Sequence, residues 1–295
     1  WLNSIEHGQI NLQLWGLALA ALYFLHRRRL WEGSFILGVV VTTKIIPGLF
    51  VFYCLLKKQY RFAAYSMGWI FLLLLAPAIF LGWEQNLALH RAWFDKTVLA
   101  GLVEGAIDFG DANQSLPAML ARFLFDIPAN SDTGATVNFL SLPLHSIGLV
   151  VKTCTGLLAG LLTLWTFRPV WKSGSGNIIL RQNLELSLVF ITASLMPALA
   201  WKAFFVASIM GYTTVLFAMA NQELDLPRKL LTFLVWGSFV LHTVTTDGLW
   251  GWPLAHIFQS YSCATFSMIL LYIAVVIVLF RASKTSSKSS PLQGN

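Results

Sequence analysis

The chain has 295 residues, of which 57% are hydrophobic and only 11% charged, against roughly 25% charged in a typical soluble domain. That leaves too little polar surface to cover a soluble body of this size, so the composition implies an all-α, polytopic transmembrane helical bundle. The net charge of +7 does not point to nucleic acid, because the basic residues stand at the ends of apolar runs, where membrane topology accounts for them.

The chain opens at Trp1 without a signal-like n-region, so the expectation is a piece that lacks upstream sequence. Residues 9–26 form the first apolar run and end at His26-Arg27-Arg28-Arg29, which marks that end as cytoplasmic. Residues 35–57 are apolar but broken by Lys44 and Pro47, and close at Lys57-Lys58 and Arg61. As one straight span this run would put its lysines outside. Split at Lys44–Gly48 it becomes a re-entrant pair of half-helices, with a kinked single span as the competing reading. Broken backbone at membrane depth is tolerated only where it is buried or lines a cavity.

Residues 62–82 run outward. The interval 84–142 is mixed and reads as an outer loop carrying surface helices, an amphipathic one over Leu87–Val103 and a second over Leu116–Phe125. Spans follow at 143–167, 183–200, 203–220, 230–246 and 260–280, with a Gly/Ser turn at 173–176 and a second, aromatic outer loop at about 245–258. Residues 284–295 read as a disordered cytoplasmic tail behind a single transmembrane domain, 1–283. The count is about seven full spans plus the broken pair and the outer surface helices. Fourteen of the 20 Lys and Arg residues then fall in inner loops, leaving Lys44, Arg91, Lys96, Arg122, Lys152 and Lys202 elsewhere. No internal repeat of the transporter kind is visible.

The candidates for chemistry are few. Lys44 lies at membrane depth, where a central lysine costs roughly 2.5–3.5 kcal/mol; it either faces a lipid-linked phosphate or a catalytic carboxylate, or is tied to a structural partner. Gln9 and Asn11 suit sugar hydroxyls, and equally serve as polar glue between helices. Trp201-Lys202 reads as an interfacial anchor or as a sugar platform beside a phosphate contact. Asn113-Gln114-Ser115 matches an N-glycosylation sequon, and Asn113 is also a candidate cap for the helix starting near Leu116, whose first N–H groups would favour an anion. Asp108 and Asp111 are acids in the same loop, functional or simply solvated. His7, His90, His145, His242 and His256 show no ligand spacing and read as interfacial or structural. Cys54, Cys154 and Cys263 lie in apolar stretches as small core residues. Walker, HExxH and Ser-His-Asp patterns are missing, so ATP-driven pumping and soluble-type hydrolysis have no support.

Gly8-Gln9-Ile10-Asn11, the apolar span, Arg27–Arg29, Gly38, Thr43-Lys44, Pro47, Lys57-Lys58 with Arg61, Asn113-Gln114-Ser115-Leu116, and Pro197 with Ala200-Trp201-Lys202 follow in order. This ordered set resembles glycosyltransferase family 87, the polyprenol-phosphate-mannose-dependent mannosyltransferase-like membrane enzymes of GT-C fold. The resemblance implies transfer of a hexose, often mannose, from a polyprenyl-phosphate sugar donor to a lipid or glycan acceptor. Transfer would take place on the outer face of a bacterial plasma membrane, with inversion and without a nucleotide sugar, cofactor or metal. By the same resemblance the carboxylate base belongs to a segment upstream of Trp1, with Asp108 and Asp111 as lesser candidates. Gln9, Asn11, Lys44, Asn113, Gln114, Ser115, Trp201 and Lys202 become substrate contacts. Some members carry a histidine shortly after the tryptophan matching Trp201; here Ala203, Phe204 and Phe205 stand there, so that role does not carry over.

Two other readings stay open: a flippase for a lipid-linked sugar, and a non-catalytic membrane protein. Lys44→Ala in the full-length protein is expected to abolish sugar transfer while leaving expression intact. Transfer assays on membranes of matched expression check this, and retained activity removes Lys44 from the mechanism.

Overall fold

Apolar runs that end at paired basic residues or single prolines fold as helices that stop where those residues stand. The computed structural model describes residues 10–99, 108–130, 134, 136–167, 177–221 and 224–288. Its elements divide between two units, Trp1–Asp108 and Phe109–Asn295.

In the first unit, α1 (Asn11–His26) turns through Arg27–Arg29 into α2 (Leu30–Thr43). Arg28 takes a left-handed φ of 62° there, and Arg29 N–H closes the helix end on the Phe24 carbonyl. The break at Lys44–Pro47 leads to α3 (Gly48–Leu56), and a second left-handed turn at Lys58 leads to α4 (Tyr60–Leu75).

The path of the broken pair follows from its contacts. A Cβ on Gly33 would meet the Phe62 ring, and one on Gly38 would meet Trp69 and the Ile70 backbone. Trp31 packs edge-on against Tyr65 and Trp69, and Phe35 against Trp69. Residue numbers rise together on both helices, so α2 and α4 run parallel and begin at the same level. Because α3 joins the start of α4 through only three residues, Lys57–Gln59, it must carry the chain back to the level at which α2 began. The chain therefore doubles back at Lys44–Pro47, with α3 running opposite to α2. Trp15 of α1 packs edge-on against Phe50 of α3, which fixes the returning half.

Pro77 interrupts α4 before the short α5 (Ala78–Leu81), because proline supplies no amide hydrogen to the helix ladder. Two side chains of the next helix, α6 (Trp83–Trp93), fill in: Asn86 Nδ2 donates to the Leu74 carbonyl at 3.2 Å and His90 Nε2 to the same carbonyl at 2.8 Å. A π-helical turn, Phe94–Leu99, extends α6. Ile79 and Phe80 are 82% and 90% exposed, a degree of apolar exposure that suits lipid rather than water.

In the second unit, a loop leads into α7 (Leu116–Leu124), followed by α8 (Leu144–Phe167) and α9 (Asn177–Leu195). The 3-10 turn Lys202–Ala207 runs into α10 (Ser208–Ala220), then come α11 (Arg228–Thr243), α12 (Asp247–Ser260) and α13 (Cys263–Lys288). Leu184, Leu188, Ile191 and Leu195 form one helical stripe on α9 and are fully or almost fully buried. Small hydroxyls tie the helices together. Ser187 Oγ reaches the Met210 carbonyl at 3.1 Å, Ser238 Oγ donates to the Ser267 carbonyl at 2.8 Å, and Tyr212 Oη lies 2.6 Å from Ser238 Oγ.

The second outer loop expected at 245–258 is instead helical over most of its length: α12 turns 88° away from α11. Gly251, at φ 73°, supplies the bend inside it. Pro253 is then tolerated because it stands at the start of the helical segment that follows.

Among the described residues, Tyr60–Leu81, Ser146–Thr166, Ile178–Leu195, Lys202–Ala220 and Cys263–Ala282 are long and apolar enough to cross a membrane. The helices Asn11–His26 and Arg228–Thr243 have 16 residues each, about 24 Å. The protein is an all-α, polytopic membrane bundle. The 173–176 turn and the tail beyond Lys288 lie outside the described residues.

A Gly38→Val substitution is expected to destabilise the first unit by about 1–3 kcal/mol, since the added carbons would overlap Trp69. Gly68→Val, where a Cβ meets nothing within 4 Å, is expected to stay near the wild-type midpoint. Thermal unfolding in detergent compares the two.

Candidate active site

In the second unit, α9 ends, α10 begins, α11 ends and α13 begins at one end of the bundle. The opposite end carries Arg181 at the start of α9, Arg228 and Lys229 at the start of α11, and Arg281 near the end of α13. The loop at 109–115 closes the first of these ends.

The loop is built around Arg122. Its position on α7 is fixed by Ser115, whose Oγ accepts the Ala118 amide at 3.2 Å as the N-cap, with Pro117 in the first turn. Seven residues on, the Arg122 side chain is fully buried. One terminal guanidinium nitrogen donates to the carbonyls of Gly110 and Asn113, both at 2.7 Å, and of Phe109 at 3.3 Å. The other donates to Ser262 Oγ at 2.7 Å. A buried cation surrounded by carbonyl dipoles holds the loop as a ring about itself.

Asn113, Gln114 and Ser115 are all fully buried. Asn113 Oδ1 accepts the amides of Ser115 at 3.1 Å and Ala200 at 3.0 Å, while its Nδ2 donates to the Ala198 carbonyl at 2.8 Å. An isolated antiparallel bridge joins Asn113 to Trp201. Gln114 Nε2 donates to the carbonyls of Asp111 at 2.6 Å and Gln259 at 2.7 Å, and the Gln114 carbonyl accepts the Thr265 hydroxyl at 2.7 Å. Capping of α7 therefore belongs to Ser115, and the first-turn amide of Ala118 is already used within the protein. The geometry gives the tripeptide a fastening role between the loop, the 198–201 segment and the last two helices.

That fastening presents two polar groups. Asp111, 7% exposed rather than solvated, accepts at Oδ2 from Asn130 Nδ2 and from His256 Nδ1, each at 2.7 Å. The Trp252 indole lies against the imidazole, ring centres 4.2 Å apart. Lys202 Nζ pairs with Asp247 Oδ2 at 2.7 Å and points toward the Thr245 carbonyl at 3.4 Å. Gln259 links the two groups: its carbonyl receives Gln114, and its amide donates to Thr245 O at 3.1 Å and Asp247 Oδ1 at 3.3 Å. Beside them Leu249, Trp250 and Trp252 are largely exposed.

Asp111, Asn113, Gln114, Ser115, Trp201 and Lys202 are thus brought to one end of the second unit. In the first unit Lys44 Nζ donates to Asn11 Oδ1 at 2.8 Å, so the break between α2 and α3 is tied to the start of α1. Asp108 is exposed at the edge of that unit. Gln9 lies outside the described residues. Sequence reasoning overlooked Arg122, Asn130, Asp247, His256 and Gln259 as members of the site. Two signals were available: a charged residue in the apolar run of α7, and Asp247 as an acid in the aromatic segment that the charge pattern expects on the same side as Lys202.

A family model described as glycosyltransferase family 87 matches residues 1–180, more than half of the 295 residues. No curated protein and no solved structure gives a significant match. The matched stretch includes the loop at 109–115 and α7, while Lys202, Asp247 and His256 lie beyond it.

Arg122→Met is expected to destabilise the protein by about 3 kcal/mol, because it removes the hydrogen bonds by which the guanidinium holds the 109–113 carbonyls and Ser262. Thermal unfolding of the purified variant reads this. Arg91→Met, on the exposed face of α6, is expected to leave the midpoint within about 0.5 kcal/mol of wild type.

Proposed function

The chain belongs to glycosyltransferase family 87 and is an integral membrane glycosyltransferase, and from that premise we propose that it moves a hexose, mannose by family resemblance, from a polyprenyl-phosphate donor to a lipid or glycan acceptor. The reaction takes place on the outer face of a bacterial plasma membrane. The observation that carries this reading is the pairing of Lys202 with Asp247 at the end of the second unit that lacks the basic clusters. The positive-inside rule assigns the basic end to the cytoplasm, which leaves Lys202 on the outer side.

The chemistry favours an anionic lipid donor. Loss of a polyprenyl phosphate from a sugar leaves an anion that needs cationic or N–H stabilisation rather than a proton. Lys202 supplies one positive charge, and Asp247 holds it in place between turnovers. The exposed Leu249, Trp250 and Trp252 suit a ligand that stays at the lipid boundary, and tryptophan at that level is at home in the interface. Trp201, 40% exposed beside Lys202, offers a ring face to the sugar. Lys44 and Asn11 support the reading from the first unit as a cation and amide at the tip of a broken helix pair.

Reconstituted protein given labelled polyprenyl-phosphate mannose is expected to glycosylate an endogenous lipid or glycan fraction, and to do nothing with nucleotide-mannose. Transfer from the nucleotide sugar alone, or movement of the donor across the bilayer without transfer, overturns the reading. Lys202→Ala is expected to lower transfer by about 100-fold, the scale of removing one charge-stabilising donor. Lys202→Arg is expected to recover part of it.

A further inference from the structure

We infer that two paired turns at one end of the first unit form a binding site for the headgroup of an anionic phospholipid, with the phosphate held by Arg28, Lys58 and Arg61. The site stands apart from the transferase reading, since it lies at the end of the unit where α1 and α3 finish.

Two turns of the same build meet there. α1 ends at Arg27–Arg29 and α3 at Lys57–Gln59, and in each the middle residue is left-handed, Arg28 at φ 62° and Lys58 at φ 58°. In each the following amide reaches back to a carbonyl five residues earlier, Arg29 to Phe24 and Gln59 to Cys54, both at 2.9 Å. Glycine takes this conformation without a Cβ penalty, yet both turns carry a long cation at that position. A Cβ on Gly33 of α2 would meet Phe24 Cβ and the Phe62 ring, each at 3.0 Å. The last turn of α1 and the first turns of α2 and α4 therefore converge, which sets the two basic turns side by side.

The charge there is unbalanced. Arg27, Arg28, Arg29, Lys58 and Arg61 are all exposed. From Ala21 to Tyr65 the only carboxylate is Glu32, and it is taken by Arg29 at 2.7 Å. Arg27 and Arg29 also lie over the rings of Tyr23 and Phe24. Among the described residues no hydrogen bond or ion pair engages the side chains of Arg28, Lys58 and Arg61. The amides of residues 27–29 and 57–59 all bond to carbonyls of the preceding helix, so recognition of an anion falls to the side chains.

The aromatic residues set the level. Tyr23, Trp31 and Tyr60, around the same turns, are each more than half exposed. Exposed tyrosine and tryptophan of this kind mark the headgroup region of a bilayer, so the cations stand where lipid phosphates lie. A Lys or Arg close to an anionic lipid surface is worth about fivefold in binding. A zwitterionic headgroup brings its own ammonium group, which the cluster repels, so the site selects a lipid with net negative charge.

Thermal unfolding and native mass spectrometry of the full chain in detergent, with added phosphatidylglycerol or phosphatidylcholine, test this. Wild type is expected to retain phosphatidylglycerol as a bound adduct and to gain in midpoint, with phosphatidylcholine giving neither. Arg28→Gly with Lys58→Gly suits the backbone of both turns and removes two charges. It is expected to keep the lipid-free midpoint and to weaken phosphatidylglycerol binding by about 25-fold. Arg28→Gln with Lys58→Gln retains each Cβ and is expected to lose the same response, which assigns the loss to charge rather than to the turns. Lys229→Gln with Arg281→Gln removes two charges from the second unit and is expected to bind lipid as wild type does. Equal binding of both lipids by wild type overturns the inference, because charge is then not recognised. Undiminished phosphatidylglycerol binding by the Gln pair at 28 and 58, or an equal loss in the Lys229 and Arg281 control, also overturns it, because the paired turns are then not the site.

Discussion

The second unit depends on how one buried guanidinium is satisfied. Arg122 lies on a short helix whose other buried residues are apolar or small, and burying its charge without partners would cost several kcal/mol. The chain meets that demand by wrapping 109–113 around it and by placing the accepting hydroxyl oxygen of Ser262, in the turn before α13, within reach of the guanidinium. Satisfying the cation therefore also places Asp111, positions Asn113 and Gln114 against their partners, and joins the loop to a turn about 140 residues away in the chain. A loop that composition alone suggests is solvated becomes the best-fastened polar segment of the unit.

The first unit solves a related problem for the backbone. A helix broken at membrane depth leaves carbonyls and amides without partners. Here the break at Lys44–Pro47 is tied to α1 through Asn11, and both halves of the broken pair find packing partners. Gly33 and Gly38 let α2 approach α1 and α4 closely enough for backbone contact. The break at Pro77 follows the same logic, with Asn86 and His90 bonding to the carbonyl that precedes it.

The match between residues and chemistry divides along the same line. Lys44 as a cation that needs a partner was legible, because the cost of a lysine at membrane depth is local and large. Lys202 as a cation at a helix end was legible from its place after Trp201. The fastening role of Asn113-Gln114-Ser115 was not, because side-chain amides look alike whether they meet sugar hydroxyls or backbone carbonyls. The contact of His256 with Asp111 was not legible for a similar reason: an isolated histidine near an aromatic cluster carries no ligand spacing, and the carboxylate beside it comes from a different loop.

By itself the sequence determined the membrane class, the positions of most helices, the break in the second apolar run and the family. Each depends on local composition, on the ends of apolar runs or on motifs in order, and these are written within a few tens of residues. The tertiary structure decided that the broken run doubles back on itself, because that turns on α2 and α4 being parallel. It also decided that Asp111 meets His256 across 145 residues of chain and that Lys202 meets Asp247. Such pairings form when helices of fixed length bring their ends together, and no periodicity in the sequence records which two ends will meet.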